Sequence, residues 1–365
     1  MKYDFLIVGC GMFGSVFARE CMDAGKSVLI IDKRDHIAGN CYTKNVDGIE
    51  VHEYGPHVFH TNNDRIWNFV NRFAKFNHFT YRPKVKNNGK IYSFPINLMT
   101  LYQLWGVQTP KEAQEKLEQV KEDIKDPSNM EEWVLSQVGR EIYETFIKGY
   151  TIKQWNRDPK DLPSFIIKRL PIRMTYNDNY FYDKYQGVPI GGYTKMFEKM
   201  IEGAEVKLGV DYFENKDSLN SLADQVVFTG KIDEYFNYTH GELEYRTIRF
   251  DHQEFQGDYQ GNAAINYTDA SVEYTRSIEH KHFEFKKCDN TIVTFEHPDK
   301  WDRSKVPLYP INDEKNNNVF KKYKGMASSE APNVIFGGRL AEYKYYDMHQ
   351  VIGSALVKAK KVLGS

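Results

Sequence analysis

The sequence predicts an α/β chain in which a parallel sheet flanked by helices is interrupted by a helical bundle and an antiparallel sheet. Three observations carry this. A buried-strand pattern from Tyr3 to Val8 runs straight into Gly9-Cys10-Gly11-Met12-Phe13-Gly14 and then a helical pattern to about Ala24. From Asn97 to Arg157 the chain reads as helical. From Leu243 to Glu296 apolar and polar residues alternate, as half-exposed antiparallel strands do.

In the first segment each part has a physical role. Gly9 lets the chain turn off the strand, Gly11 removes a Cβ that would block a pyrophosphate, and Gly14 lets helix and sheet pack closely. The helix N-terminus offers its unpaired N–H groups and positive dipole end to phosphates. A second apolar run, Val28 to Ile31, ends in Asp32, 18 residues past Gly14, where a carboxylate can accept hydrogen bonds from a ribose. The chain goes on with Lys33-Arg34 and the small-residue turn Ala38-Gly39-Asn40, a pattern closer to FAD binders than to NAD binders. Near the far end Val334-Ile335-Phe336 leads into Gly337-Gly338-Arg339, a second contact region that a cofactor as long as FAD requires. A Rossmann-like FAD-binding domain assembled from both ends of the chain follows.

With 365 residues, two or three domains are expected. A net charge of −1 excludes the basic footprint of a nucleic-acid binder or a polybasic membrane surface. No apolar run reaches the ~20 residues of a membrane span. The strand beginning at Tyr3 leaves no room for a secretory signal, and Cys10, Cys21, Cys41 and Cys288 show no C-x-x-C spacing, so reduced thiols in a cytoplasmic protein are expected. An aromatic fraction of 15%, with 25 tyrosines, suits a site that binds rings and hydroxyls.

Along the chain, Val46 to Val51 reads as a hairpin, and Asn63 to Phe76 has helical periodicity. Two strands flank Asn88-Gly89. In the helical block Thr109 caps a helix opened by Pro110. Ser128 with Glu131, or Asn129 with Glu132, caps a second helix ending near Gly139, and a third covers Glu141 to Gly149. Asp158 to Gly192 is read as a long functional loop, and Gly191-Gly192-Tyr193 opens another helix. Val206 to Val210 and Gln225 to Phe228 return as sheet, Pro307–Asn318 is read as a loop, and a C-terminal helix starts near Met348.

The partition expected is an FAD-binding domain of residues 1–80, 193–240 and 320–365, a helical bundle of 97–165, and an antiparallel-sheet substrate domain of 81–96, 166–192 and 241–319. His57 and His60 flank a Gly-Pro turn. They are open to three readings: hydrogen-bonded loop histidines, an i,i+3 metal pair, or contacts to the flavin. No third ligand stands at a usual spacing, so no metal is expected. Arginines lie beside aromatics at Phe146–Tyr150-Thr151–Trp155, Arg169, Tyr180, Arg276, Tyr309 and Tyr345–Asp347. Arginine matches phosphate oxygens with paired donors, and aromatics stack on bases and sugars, so the set suits a nucleotide sugar. The plainer reading makes most of these tyrosines amphipathic surface or core residues.

Longer strings add to this. Gly55-Pro56-His57-Val58-Phe59-His60-Thr61, Ile147 through Trp155, Ile166-Ile167-Lys168-Arg169, Asn179-Tyr180-Phe181, Tyr274-Thr275-Arg276, Glu279 through Phe283 and Gly337 through Met348 together resemble the bacterial UDP-galactopyranose mutases, essentially from end to end. The resemblance implies interconversion of UDP-galactopyranose and UDP-galactofuranose for cell-surface glycans, without net redox change, with N5 of reduced FAD as covalent nucleophile. It implies that Arg169, on a mobile loop near 165–175, and Arg276 hold the departing UDP, with Tyr180, Tyr309 and Tyr345 on the diphosphate. Phe146 and Tyr150 would sandwich uracil, with Thr151 beside them. Trp155 would lie near the sugar, and Asp347 falls at an acidic active-site position. His57 and His60 would lie beside the isoalloxazine. The cofactor set becomes Gly9, Gly11, Phe13, Gly14, Asp32, Lys33, Gly39 and Asn40, with Arg339, Tyr345, Asp347 and Met348 from the far end. A homodimer is implied by the family alone. Two departures are visible: Ala38 replaces a common glycine, and Asp32 a commoner glutamate. Two other classes share the fold, a flavin-dependent amine or polyene oxidase and a non-catalytic protein of the kind that sequesters prenylated small GTPases.

Overall fold

The computed structural model describes residues 2–155, 157–164, 167 and 172–364. The chain divides into two compact units, one of Met1–His78, Asp183–Ile248 and Asp299–Ser365, the other of Phe79–Tyr182 and Arg249–Pro298.

The first unit is built on a five-stranded sheet in the order Val334–Phe336, Ala223–Phe228, Tyr3–Val8, Val28–Asp32, Glu205–Leu208, with every neighbouring pair parallel. Its central strands are continuous apolar runs because both faces are covered; Leu6, Ile7, Leu29, Ile30, Ile31 and Val227 are fully buried. The helix Met12–Asp23 packs on the C-terminal helix Met348–Leu363. Val16, Phe17, Ala18 and Cys21 bury one face, and Ile352, Ala355 and Ala359 the other. Among the described residues, no helix is long and apolar enough to cross a membrane.

The second unit holds the helices Leu98–Trp105, Pro110–Val120, Met130–Ile142 and Gly149–Trp155 around a core that includes Leu101, Leu117, Val134, Val138 and Ile142. Thr109 Oγ1 accepts from Glu112 N at 3.2 Å and the Glu112 carboxylate returns the bond to Thr109 N. Asn129, not Ser128, caps the next helix, accepting from Glu132 N at 2.9 Å. Gly139 breaks that helix with a φ of +76°, and a π-helical turn, Tyr143–Lys148, leads into the last helix.

The antiparallel sheet has seven strands, in the order Tyr309–Pro310, Tyr245–Gln256, Asn290–Asp299, Arg276–Glu279, Ala264–Tyr267, Lys84–Asn87, Lys90–Ser93. Asn88 and Gly89, both at positive φ, close the last hairpin, as the Asn-Gly pair predicts. One ladder is parallel, Lys84–Asn87 against Ala264–Tyr267.

Two expectations fail. Of the stretch His282 to Phe285, read as strand, the first three residues belong to a helical turn, His280–Glu284, and Phe285 ends it at a φ of +54°. Glu279, the last ladder residue of its strand, accepts at its carboxylate from Tyr259 N and Gln260 N, both at 2.9 Å, and the chain turns immediately after it. The stretch after Ile311, read as loop, becomes the 17-residue helix Glu314–Glu330, capped by Asp313. Its first turn, Glu314 to Asn318, is wholly polar, and the apolar stripe of Val319, Phe320, Tyr323, Met326 and Ala327 that packs on the core begins only beyond it.

Candidate active site

A cleft of about 230 Å³ opens at the carboxyl ends of the parallel strands, where the order reverses about Tyr3–Val8. That is where an open α/β sheet leaves a crevice for a ligand. Gly9 sits at φ +107°, and a Cβ there would stand 2.0 Å from Thr229 Oγ1. A Cβ on Gly14 would meet the Gly9 carbonyl oxygen at 2.0 Å, so the helix seats directly on the loop. Gly11 and Gly39 pass close to each other: a Cβ on Gly39 would stand 2.9 Å from Gly11 Cα, and one on Gly11 would touch Gly39 Cα at 3.9 Å. Asp32 ties the loop together by accepting from Cys10 N at 2.8 Å and Arg34 N at 2.9 Å. Each carboxylate oxygen has a second lone pair for a ribose. Ala38 is fully buried at φ +70°, where the family's glycine would be unstrained.

Gly9, Gly11, Phe13, Asp32, Lys33, Gly39, Asn40, Arg339 and Met348 line this cleft, as does His57, whereas Gly14 works from behind the loop. Arg34 lies over the Tyr54 ring at 4.5 Å and donates to Asn40 Oδ1 at 2.8 Å. Among the described residues, Arg34 Nη1 and Arg339 Nε are buried without a hydrogen-bond partner. Two unmatched donors on arginines, a helix N-terminus and a glycine-lined gap fit a dinucleotide. Burial pushes the Cys41 thiol in the wall up to about 12, and Cys10 up to about 11, so both stay protonated near neutral pH.

Beyond the cleft, the same unit gathers the predicted C-terminal residues. Arg339 donates to Leu308 O at 3.0 Å and Tyr346 O at 2.7 Å, and its guanidinium lies 5.0 Å from the Tyr309 ring centre. Tyr309 stacks on Tyr345 at 5.1 Å. His60 Nδ1 lies 2.5 Å from Asp183 Oδ2, on a short two-stranded sheet that pairs Phe59–Thr61 with Tyr185–Gly187. When Nδ1 carries the ring proton it donates to that carboxylate, which leaves Nε2 as the acceptor. His60, Asp347 and His349 bring one ligand atom each within 4.8 Å of one another, a group that leaves out His57. Burial and the neighbouring His60 hold His349 below the ordinary histidine value.

The second unit assembles another group. Arg276 and Glu296 are cross-strand partners, with Arg276 Nε 2.8 Å and Nη2 3.0 Å from the two carboxylate oxygens. Nη1 lies 3.5 Å from the Tyr81 hydroxyl, and Tyr81 meets Tyr180 edge-on at 5.4 Å. Burial pushes the Glu296 carboxyl above its ordinary range and Arg276 pulls it back. The Tyr150 hydroxyl is raised by burial and lowered by Arg276, which puts it in the same electrostatic group. Tyr180 is 43% exposed, and Arg173 holds the turn before it by donating to the Asn177, Asn179 and Tyr180 carbonyls. Phe146 is buried edge-on against Tyr92 at 5.2 Å, Thr151 is buried, and Trp155 packs half-buried on the helical core. Arg169 and most of the loop expected near 165–175 lie outside the described residues.

Sequence reasoning missed Glu296, Tyr81, Arg173, Asp183 and His349. For Glu296 a signal existed. It lies on a strand that alternates with Arg276's, and an interior strand rarely hides a carboxylate without a cation opposite it.

Comparisons with known proteins agree on one family. A profile for UDP-galactopyranose mutase matches residues 145–345, and one for an NAD(P)-binding Rossmann-like domain matches residues 7–73. A probable UDP-galactopyranose mutase of Klebsiella pneumoniae is 40% identical over 99% of this chain and 95% of its own length. A dTDP-fucopyranose mutase of Escherichia coli is 39% identical over 96% of each. A crystal structure of reduced UDP-galactopyranose mutase superposes with a TM-score of 0.75 at 13% identity, over 99% of this chain and 96% of that one.

Proposed function

This chain belongs to the UDP-galactopyranose mutase family, and from that premise we propose that it interconverts UDP-galactopyranose and UDP-galactofuranose with reduced FAD. The observation that carries the reading is 40% identity running from end to end with a relative of that description.

When bound and reduced, FAD supplies a nucleophilic N5 for the anomeric carbon, and no electrons are lost over the cycle. The chain's own residues do the rest. In the first unit, the N–H groups at the start of Met12–Asp23, with Arg34 and Arg339, hold the cofactor pyrophosphate, and Asp32 takes the ribose. His57 lines the flavin end, and Asp183 fixes the ring of His60, so that a proton sits at Nδ1 and Nε2 accepts. Tyr309 and Tyr345 offer hydroxyls to the substrate diphosphate. In the second unit, Arg276 stabilises charge on the departing nucleotide. An arginine carries five N–H donors, so pairing with Glu296 is compatible with donating to a phosphate as well. A charge-assisted bond is worth about 1.5–3 kcal/mol, and the part gained only as the C–O bond breaks lowers the barrier. Glu296 spares that guanidinium the reorientation it would otherwise undergo as charge develops. Tyr150 and Phe146 contact the uracil, and Arg169 completes the grip on the diphosphate. The protein acts as a homodimer supplying galactofuranose for surface glycans.

A second substrate has its own support, since the 39% identical relative is a dTDP-fucopyranose mutase. That sugar differs at C6, where a methyl replaces CH₂OH, and thymine adds a methyl to the base. Dithionite-reduced protein is incubated separately with UDP-galactofuranose and dTDP-fucopyranose, and products are resolved by chromatography. Conversion of the first alone supports the proposal, conversion of the second alone replaces the substrate, and conversion of neither overturns it.

A further inference from the structure

Lys153 lies one helical turn beyond Gly149 on Gly149–Trp155, so both occupy one face. A Cβ on Gly149 would stand 2.1 Å from the Thr268 carbonyl oxygen. The loop Tyr267–Tyr274 is therefore seated on bare helix backbone, and Lys153 reaches into it. Its Nζ lies 2.7 Å from Tyr267 O, 2.9 Å from Asp269 O, 3.1 Å from Val272 O and 3.0 Å from Tyr274 O.

An ammonium has three N–H bonds, so the four contacts cannot all be separate hydrogen bonds. What they share is charge. Four carbonyl oxygens turned toward one point repel one another unless a cation stands there, and a ring of backbone carbonyls is how proteins replace the hydration shell of a monovalent ion. The loop is also tied at its start, where Ser271 N donates to Asp269 Oδ1 and Thr268 Oγ1 to Thr145 O, and at its far end, where Tyr267 N donates to Thr275 O and Thr275 N to Glu296 O, both at 2.9 Å. At its far end the Tyr274 carbonyl is held by Lys153 two residues before Arg276. Burial lowers the Lys153 amine to about 8 and Asp269 opposes the fall, consistent with a charge the carbonyls must stabilise.

We propose that Lys153 is a positioning residue that serves as a built-in monovalent cation, filling the four-carbonyl cage of Tyr267–Tyr274 and thereby setting the place of Arg276. The effect on nucleotide binding rests on the function proposed above, whereas the cage does not.

The test uses the full-length flavin-bound protein and Lys153→Ala in lithium, potassium and ammonium buffers, reading Tm, UDP affinity by calorimetry, and kcat and KM separately. In lithium the variant binds UDP about tenfold more weakly than the parent. Potassium or ammonium restores most of that loss and raises its Tm, while the parent responds to neither, and crystals of the variant soaked in rubidium show the ion among the four carbonyls. A variant that binds UDP like the parent in lithium, or one whose deficit no cation relieves, overturns the proposal, because a lysine acting through its hydrocarbon stem leaves the variant blind to the ion. If the parent itself binds no UDP, the functional reading fails, and the cation-dependent Tm and the rubidium site still decide the cage. Should Lys153→Ala not fold, Lys153→Ser, which likewise removes the charge and leaves the cage open, is judged by the same outcomes.

Discussion

In the first unit the groups proposed to meet a phosphate are largely backbone, the N–H groups where Gly9–Gly14 enters the helix Met12–Asp23. In the second the corresponding group is a side chain, Arg276, whose orientation depends on Glu296 across the sheet. The first arrangement is local, since six consecutive residues and one carboxylate set it. The second draws on residues 81, 150, 173, 180, 276 and 296, brought together only by folding. A backbone cradle tolerates change in almost any side chain but not an added Cβ. A side-chain clamp tolerates backbone adjustment but not loss of a partner.

Breaking the cradle has the largest expected effect. Gly14→Ala places a methyl 2.0 Å from the Gly9 carbonyl, costs about 1–3 kcal/mol or more in strain, and yields protein with little bound flavin. Absorbance of the purified variant checks this, and a normal flavin content would show that the loop yields.

The clamp breaks differently. Arg276→Ala keeps its flavin, loses turnover by about a hundredfold or more, and strands the Glu296 carboxylate. The stability loss is about 2–3 kcal/mol, less than for a fully buried pair because the Arg276 side chain is 23% exposed. The double variant Arg276→Met with Glu296→Leu recovers most of that stability in urea titrations and none of the turnover. Recovery of turnover would remove Arg276 from the chemistry.

A pH scan separates a third anchor from both. Burial raises the Glu279 carboxyl, but His282, 3.2 Å away, and the N–H groups of Tyr259 and Gln260 overcome this and hold it at about 2. A folded-state value below the unfolded one stabilises at higher pH. The contribution, about 3 kcal/mol, is therefore complete above roughly pH 4.5 and lost as pH falls toward 2. Glu279→Gln flattens that acid limb in urea midpoints taken across the window. The smallest effect tests a local device inside the second unit, with Thr109→Ala costing about 1 kcal/mol through its cap and leaving turnover unchanged.

The same contrast explains what the sequence made legible. The glycine loop with Asp32, the Asn88-Gly89 hairpin turn and the Thr109–Pro110 helix start each depend on neighbours within a few residues or on a known spacing, and each is where it was expected. The pairing of Glu296 with Arg276 and of Asp183 with His60 could be named only with strand register and packing in hand, because the partners are 20 and 123 residues apart. The start of the helix Glu314–Glu330 reads as loop because Glu314 to Asn318 are all polar and the apolar stripe begins at Val319, and the turn at His280–Glu284 reads as strand because alternating residues can also satisfy a buried turn.

The central claim, ring interconversion without net redox change, is met most directly by following flavin absorbance anaerobically while UDP-galactofuranose is consumed by dithionite-reduced protein. The account predicts that UDP-galactopyranose accumulates over many turnovers while the flavin remains reduced. Reoxidation of the flavin in step with sugar consumption, or an unchanged sugar beside fully reduced flavin, would contradict it.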